Sequence, residues 1–186
     1  MSAGWQSSAR HMTRILTLLA ILSLAMYLVP GSCGQAPPPQ VQPGAFEGTW
    51  SVTGTRQVLD RGAGKRAVIF YISGSLVLAV PGGLSRGFRG EAIGYGNESG
   101  LQASCVWTDD QGDQIYSELA GPGLGTGSHV VGTITGGTGR YAGLTGRYEF
   151  DWQFVVADPE GVVQGWAVGL KGAASRTAPP AGRGSP

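Results

Sequence analysis

Hydrophobic and polar residues alternate with a period of two along most of the chain from residue 46 to residue 172. Such alternation is typical of strands that bury one face, and turns rich in glycine, aspartate and proline separate the alternating segments. The region gives little support for helices, because it lacks a sustained 3.6-residue period. The pattern predicts eight strands, at residues 50–59, 65–80, 87–95, 102–108, 114–120, 128–135, 147–157 and 162–171.

Eight strands joined by short turns favour an all-β fold, an eight-stranded antiparallel up-and-down barrel. Closure of the sheet removes exposed edges, and eight strands enclose a lumen just wide enough for side chains or one small ligand. The second strand, residues 65–80, is long and apolar on both faces. We therefore expect a bend or bulge at residues 73–75.

Residues 132–146 form a glycine-dense corner between the sixth and seventh strands. Glycine permits left-handed backbone and close approach, as a sharp reversal requires. Tyr141 and Leu144 are the large apolar side chains available to plug the corner, and we expect it to close one end of the barrel. The corner glycines are Gly136, Gly137, Gly139, Gly143 and Gly146.

The spacing of Gly137, Gly139 and Ala142 also fits the loose Gly-x-Gly-x-x-Ala pattern of phosphate-binding loops. That pattern binds a pyrophosphate only where a helix follows the glycines, because the helix N-terminus meets the phosphate. Here an alternating aromatic strand follows. We therefore interpret the segment as a structural corner and predict no nucleotide cofactor.

The seventh strand carries an aromatic row on one face and a charged row, which includes Arg147, Glu149 and Asp151, on the other. Burying aromatic rings gains about 25 cal/mol per Å² of apolar surface. Burying unpaired carboxylates costs several kcal/mol. We therefore predict that the aromatic row faces the lumen. The opposite assignment would make Glu149 and Asp151, with Glu118 on the fifth strand, candidate acid–base catalytic groups.

The predicted lumen wall is aromatic and either fills the barrel or lines an apolar pocket, and the sequence leaves both possibilities open. Its candidate ligand-binding residues are Trp50, Phe70, Ile72, Cys105, Trp107, Phe150, Trp152, Phe154 and Trp166. Candidate polar groups inside the lumen are Gln164, His129 and Cys105.

Charged residues make up 13% of the chain and nearly cancel, at a net charge of +1, so no basic field predicts nucleic-acid binding. The carboxylates at residues 109–113 lack the spacing of a calcium loop and are interpreted as a turn, so no metal is predicted. The glycosylation sequon at residues 97–99 is likewise interpreted as a hairpin turn. Cys105 is interpreted as a small buried hydrophobe rather than a disulfide partner of Cys33 or a catalytic thiol.

Residues 12–28 combine a basic start with a short apolar run, which predicts a secretory signal rather than a membrane span. Cys33 lies where a bacterial lipoprotein signal places its lipidated cysteine, although Pro30 replaces the usual leucine. Lipidation of Cys33 and ordinary cleavage nearby remain alternatives. We expect export to the periplasm, the extracellular space or the outer face of a membrane. The predicted organisation is a signal at 1–33, a Pro-rich linker at 34–45, the barrel at 46–172 and a disordered tail at 173–186.

Residues 135–146, residues 169–172 and the Asp60-Arg61-Gly62 turn resemble the allene oxide cyclase barrel superfamily, which includes dirigent-like proteins. The resemblance implies a lipocalin-like barrel with an apolar interior that holds a small hydrophobic molecule. Plant allene oxide cyclases use a glutamate on the first strand. Thr55 stands about where that glutamate would be, so the cyclase reaction is not carried over.

Three functions remain open. The first is a secreted or surface-tethered barrel that binds a small hydrophobic molecule. The second is a structural or interaction module of the cell envelope, with homo-oligomers possible. The third is a cyclase or isomerase that acts on a small apolar intermediate. An aromatic lumen and the superfamily resemblance favour the first.

Overall fold

The computed structural model describes residues 44–123, 125–158 and 161–176. Its strands pair in sequence order, and β1 also pairs with β8, so the antiparallel sheet closes into a barrel. The strands are β1 (Ala45–Asp60), β2 (Arg66–Val80), β3 (Gly87–Asn97), β4 (Gly100–Thr108), β5 (Gln114–Gly121), β6 (Ser128–Gly137), β7 (Leu144–Ala157) and β8 (Gly161–Arg176). The predicted eight-stranded all-β barrel is confirmed.

Helical structure within the described residues is limited to one 3-10 turn, Gly139–Tyr141, in the corner between β6 and β7. No helix in this part of the chain is long and apolar enough to cross a membrane. The predicted signal segment, Cys33, most of the linker and residues 177–186 lie outside the described residues, so their predictions stay predictions.

The seventh strand shows the predicted division between its two faces. Tyr148, Phe150 and Trp152 are buried in the lumen, while Arg147 and Asp151 are exposed on the outside. The aromatic row therefore faces inward, as predicted from the relative cost of burying rings and charges.

Successive antiparallel strands place their connections alternately at the two ends of the barrel. The end that we call the closed end comprises residues 81–86, 109–113 and 138–143. The end that we call the open end comprises residues 61–65, 98–99, 122–123, 125–127 and Asp158. Phe46, near the start of β1, packs against Trp107 and Tyr148 on the side of the closed end.

The bulge predicted at residues 73–75 is absent from the β2 pairings, which run without a register shift through this segment on both sides. Gly74 explains why no extra residue is needed. A Cβ at Gly74 would stand 1.9 Å from the carbonyl oxygen of Ser51, so the missing side chain lets the two strands approach closely. Register shifts occur instead near the start of β1, between Gly48 and Trp50 in its pairing with β8.

The last strand continues past its predicted end at Lys171. Residues 173–176 pair with the first residues of β7, and Ala174 is buried against the core. The Ala, Gly, Pro and Arg composition of residues 173–186 predicted a disordered tail. The structure corrects this prediction for residues 173–176, which belong to β8.

Glycines within the strands provide space for aromatic rings. A Cβ at Gly132 would stand 2.1 Å from the Tyr148 ring, a distance that real side chains do not adopt. The closest such pairs are Gly132 with Tyr148, Gly165 with Trp152 and Gly90 with Trp50. The abundant glycine therefore serves interior packing as well as turns, a role that the sequence analysis did not assign.

Candidate functional site

The half of the lumen near the closed end is filled by side chains. The Trp107 and Tyr148 rings lie 4.8 Å apart between centroids, and Phe88 packs 5.8 Å from Trp107. Fully buried side chains here are Phe46, Leu76, Leu78, Trp107, Ile115, Tyr141, Leu144, Tyr148 and Leu170. This half of the lumen is a packed core.

Tyr141 seals the closed end from within the corner. Its side chain is fully buried, its ring lies 5.9 Å from that of Phe88, and its hydroxyl accepts a hydrogen bond from the Ser85 backbone N–H at 3.3 Å. Left-handed backbone at Gly139 and Gly143, with φ of 48° and 73°, turns the chain around the ring.

An ion pair between Asp109 and Arg140 joins two connections of the closed end, residues 109–113 and residues 138–143. The Asp109 carboxylate has a side-chain exposure of 0% and accepts hydrogen bonds from Arg140 Nε at 2.8 Å and from the backbone N–H groups of Gln111 and Asp113. Burial alone would raise the pKa of Asp109, but the hydrogen bonds from Arg140 and its other donors outweigh burial and hold that pKa below its usual value.

Arg140 supplies the positive charge beside the acidic turn at residues 109–113. Its guanidinium lies 3.4 Å from Asp110 and 3.9 Å from Asp113. Within the described ranges, no group of three His, Cys, Asp or Glu side chains is arranged to hold a metal ion. Among these residues, the turn is therefore held together by an arginine.

The other half of the lumen contains a narrow pocket that opens at the open end. The pocket and its mouth hold about 520 Å³ free of protein atoms, counting space open to solvent, but the centre of a water-sized molecule reaches only about 30 Å³. A cavity needs about 10–15 Å³ of this second kind of volume, the space open to the centre of a water-sized molecule, to hold one water. Its lining residues are Trp50, Arg56, Val68, Phe70, Ile72, Leu101, Leu119, Gly123, Val130, Phe150, Trp152, Phe154 and Val163.

Arg56 and Phe154 cover the mouth of this pocket. The Arg56 guanidinium carbon lies 5.5 Å from the centroid of the Phe154 ring, a cation–π contact. Arg56 Nε donates a hydrogen bond to the backbone carbonyl of Asp158 at 2.8 Å, and Nη2 donates to the same oxygen. Phe154 packs in turn edge-on against Trp152. A ligand much larger than water therefore needs side chains of the pocket wall or mouth to move.

A small polar cluster is buried in the packed half of the lumen. The Ser117 and Tyr148 hydroxyls are 2.7 Å apart, and Cys105 lies beside them. Burial raises the pKa of the Cys105 thiol to about 11. At neutral pH the thiol is therefore protonated, which makes it a poor nucleophile.

The structure divides the sequence-predicted binding residues among three places. Cys105 and Trp107 lie in the packed half. Trp166 lies outside the barrel with 52% of its surface exposed, which corrects its predicted place in the lumen. Those that line the pocket are Trp50, Phe70, Ile72, Phe150, Trp152 and Phe154.

The inward row of β8 explains the position of Trp166. Gly165 must face inward because the Trp152 ring occupies the space where its Cβ would be, and the adjacent Trp166 then points outward. Gln164 is outward for the same reason. His129 is also exposed on the outer face, so neither of these proposed polar groups is in the lumen.

The three candidate catalytic carboxylates all lie on the outer surface. Glu118 accepts a hydrogen bond from Ser104 at 3.1 Å. Glu149 pairs with Lys171 at 3.2 Å, and Asp151 pairs with His129 at 3.0 Å. Among the residues that line the pocket there is no carboxylate.

Arg56 is the charged pocket residue that sequence reasoning missed, and six uncharged lining residues were missed with it: Val68, Leu101, Leu119, Gly123, Val130 and Val163. Arg56 lies on the first strand, two residues from Val58 and four from Val52, so a period of two places it on the same face as both. The contacts with Phe154 and Asp158 show how its charge is accommodated at the mouth of the pocket.

Comparisons with known proteins add little to this geometry. No family model matches the chain, and no curated protein matches it. Among solved structures, that of a pterocarpan synthase dirigent protein is similar, with a TM-score of 0.41 and 13% identity over 77% of this chain and 92% of the other. A likeness at this level carries no argument about ligand or activity, and the barrel is established by its own strand pairings.

Proposed function

We propose that the protein is a binding barrel that takes a small hydrophobic molecule into its lumen through the open end. The observation that carries the proposal is the asymmetry of the lumen. One half is filled by fully buried side chains, whereas the other retains a pocket walled by aromatic and aliphatic residues. Apolar walls with a few polar groups at the rim are typical of small-molecule sites.

Fluorescence titration of the full chain with the uncharged apolar dye N-phenyl-1-naphthylamine tests this proposal. The Val68→Phe variant narrows the pocket at its half-buried rim, and we expect it to weaken dye binding about tenfold or more, which corresponds to about 1.4 kcal/mol. The control is Ile69→Ser, because the neighbouring side chain points outward. Far-ultraviolet circular dichroism checks that both variants are folded.

Two outcomes of this titration would contradict the proposal. Absence of dye binding to the unmodified protein would mean that the lumen stays closed. Loss of binding in Ile69→Ser, with Val68→Phe unaffected, would place the dye on the outer surface instead.

A second candidate function is self-association through the outer face of β2 and β3. Ile69 is paired with Tyr95 and Tyr71 with Ile93, and all four side chains are between 43% and 65% exposed. Contiguous exposed apolar groups are typical of protein–protein interfaces. Because the barrel is closed, a second copy would pack on this face and not pair with a free strand edge. Analytical ultracentrifugation of the unmodified protein and Ile93→Asp tests this: a dimer or larger species that the variant lacks supports it, and a monomer in both contradicts it.

Cyclase or isomerase activity has less support than binding. Glu118, Glu149 and Asp151 all lie outside the lumen, and the Cys105 thiol is buried and protonated. Such an activity would rely on confinement of a reactive molecule in the pocket and on Arg56, without a carboxylate in the pocket lining.

The proposal also includes export, which rests on the sequence of residues 12–28 and on Cys33. Intact-mass spectrometry of the protein recovered from membrane and soluble fractions tests it. A lipid-modified chain that begins at Cys33, lost from the membrane in Cys33→Ser, is the result expected of a lipoprotein. A chain that retains residues 12–28 in the cytoplasmic fraction would overturn export.

A further inference from the structure

Arg56 is the charged side chain in an otherwise uncharged pocket lining. It belongs to the inward row of β1, on the same face as Trp50 and Val52, and its side chain is half-buried. A guanidinium cannot lose its charge in a protein, so it keeps a full positive charge at the mouth of an apolar pocket.

The partners of Arg56 do not neutralise this charge. Its Nε and Nη2 atoms both donate to one backbone carbonyl, that of Asp158, and Nη1 donates no hydrogen bond to any residue in the described ranges. None of the ion pairs among these residues includes Arg56, although Arg61 at the same end is paired with Glu98 at 3.4 Å. Among the described residues, Arg56 is therefore a half-buried cation whose partners are a neutral oxygen and an aromatic ring, with no anion in an ion pair.

The geometry suits an anionic oxygen group entering from outside. The contact with Phe154 holds the guanidinium over that ring, and the hydrogen bonds to Asp158 fix its orientation. A guanidinium held in this way can direct two parallel N–H donors at a carboxylate, sulfonate or phosphate ester. The apolar part of the same molecule would then lie against Phe150 and Trp152.

We propose that the ligand of the lumen is an apolar molecule with one anionic oxygen group, which Arg56 binds at the mouth of the pocket. This inference rests on the proposed binding function and narrows the class of molecule. Such a molecule would give the guanidinium a charged acceptor in addition to the neutral carbonyl of Asp158, which keeps it in place.

Two dyes of similar shape and different charge test the inference in the full chain. They are the anionic 8-anilino-1-naphthalenesulfonate and its uncharged relative N-phenyl-1-naphthylamine. We expect Arg56→Met, which keeps a long side chain and removes the charge, to weaken binding of the sulfonate about tenfold or more. We expect it to change affinity for the uncharged dye less than about threefold. The uncharged dye should also displace the sulfonate, since both would occupy one pocket.

Arg61→Met is the matched control, because Arg61 is exposed at the same end and paired with Glu98. It should leave the affinity for both dyes unchanged. Arg56→Lys keeps the charge without the planar fork, so an intermediate affinity for the sulfonate is expected. Raising the salt concentration should weaken sulfonate binding more in the unmodified protein than in Arg56→Met.

The possible failures are distinguishable. Equal losses for both dyes in Arg56→Met would show that Arg56 acts through packing and would overturn the inference while leaving the binding function intact. An equal loss of sulfonate affinity in Arg61→Met would indicate a diffuse surface effect and also overturn it. If the unmodified protein binds neither dye, the proposed function fails, and the inference fails with it.

Discussion

Two arginines at opposite ends of the barrel have different partners. Arg140 at the closed end is bound to the buried carboxylate of Asp109, and Tyr141 packs beside them. Arg56 at the open end lies over Phe154 and donates to a backbone carbonyl. The comparison teaches that the arginine at one end is paired with a buried carboxylate, whereas the arginine at the other lies beside an apolar pocket with a neutral acceptor.

The two ends also differ in how completely side chains fill the lumen. At the closed end, Phe88, Trp107 and Tyr141 pack against one another and fill the lumen. At the open end, Phe154 is only partly buried and the pocket beneath it remains. If this contrast is correct, substitutions at the closed end should reduce stability, and those at the open end should act mainly on binding.

The largest effect is expected for Tyr141→Ala. Truncating a fully buried aromatic side chain costs about 3–5 kcal/mol in the free energy of unfolding, because it leaves a cavity and removes the acceptor for the Ser85 N–H. Urea denaturation measures the change. Tyr95→Ala, at an exposed tyrosine, should cost about 0.5 kcal/mol or less. Similar small changes in both variants would mean that the closed end is an open loop.

Asp109→Asn should have the next largest effect, about 2–3 kcal/mol at neutral pH, because it removes a charged acceptor and leaves Arg140 unpaired. The folded-state pKa of Asp109 lies below its unfolded value, so its contribution is present above the unfolded pKa and is lost as pH falls through the folded pKa. The free energy of unfolding, measured from neutral to acidic pH, should therefore fall less steeply in Asp109→Asn than in the unmodified protein.

Asp151→Asn is the control for this pH dependence, because Asp151 is exposed on the outer face. It should leave the acid slope close to that of the unmodified protein. Identical slopes in the unmodified protein and Asp109→Asn would contradict the role given to the ion pair at the closed end.

Gly132→Ala should cost about 2 kcal/mol, since a methyl group there overlaps the Tyr148 ring and forces it to shift. The matched control is Gly87→Ala, where a Cβ meets no atom within 4 Å. That change should be neutral or slightly stabilising. Thermal unfolding of the two variants decides whether strand glycines provide space for rings, and equal effects would reject that idea.

Phe154→Ala should have the smallest effect on stability, about 1–2 kcal/mol, because the ring is only partly buried. It should also open the mouth of the pocket. Stopped-flow mixing with N-phenyl-1-naphthylamine should then show faster association than in the unmodified protein. A loss of stability as large as that of Tyr141→Ala, with no change in association rate, would remove the distinction between the two ends.

The sequence was sufficient to predict the barrel, because alternation with a period of two directly reflects which face of a strand is buried. The inward aromatic row of β7 followed from the same pattern and from the cost of burying Glu149 and Asp151. Strand ends were predicted less accurately: β8 runs to Arg176, because residues 173–176 pair with the start of β7, a long-range pairing that composition does not reveal.

The site was harder to predict than the fold. Trp166 was predicted inside, whereas Gly165 faces inward beneath the Trp152 ring of the neighbouring strand and Trp166 therefore points outward. Arg56 was not among the predicted site residues, and its contacts with Phe154 and the Asp158 carbonyl show how an inward arginine is accommodated. Pocket volume depends on how all the rings pack together, which no local pattern encodes.

The most direct test of the central claim is an NMR measurement of contacts between bound N-phenyl-1-naphthylamine and the methyl groups of the full chain. Methyl groups report separately on the three regions in question. We expect contacts with Leu101 and Val163, which line the pocket, and none with Leu78 or Leu144 in the packed half. Contacts confined to Ile69 and Ile93 on the outer face, or a bound dye beside Leu144, would contradict the account of one closed end and one binding end.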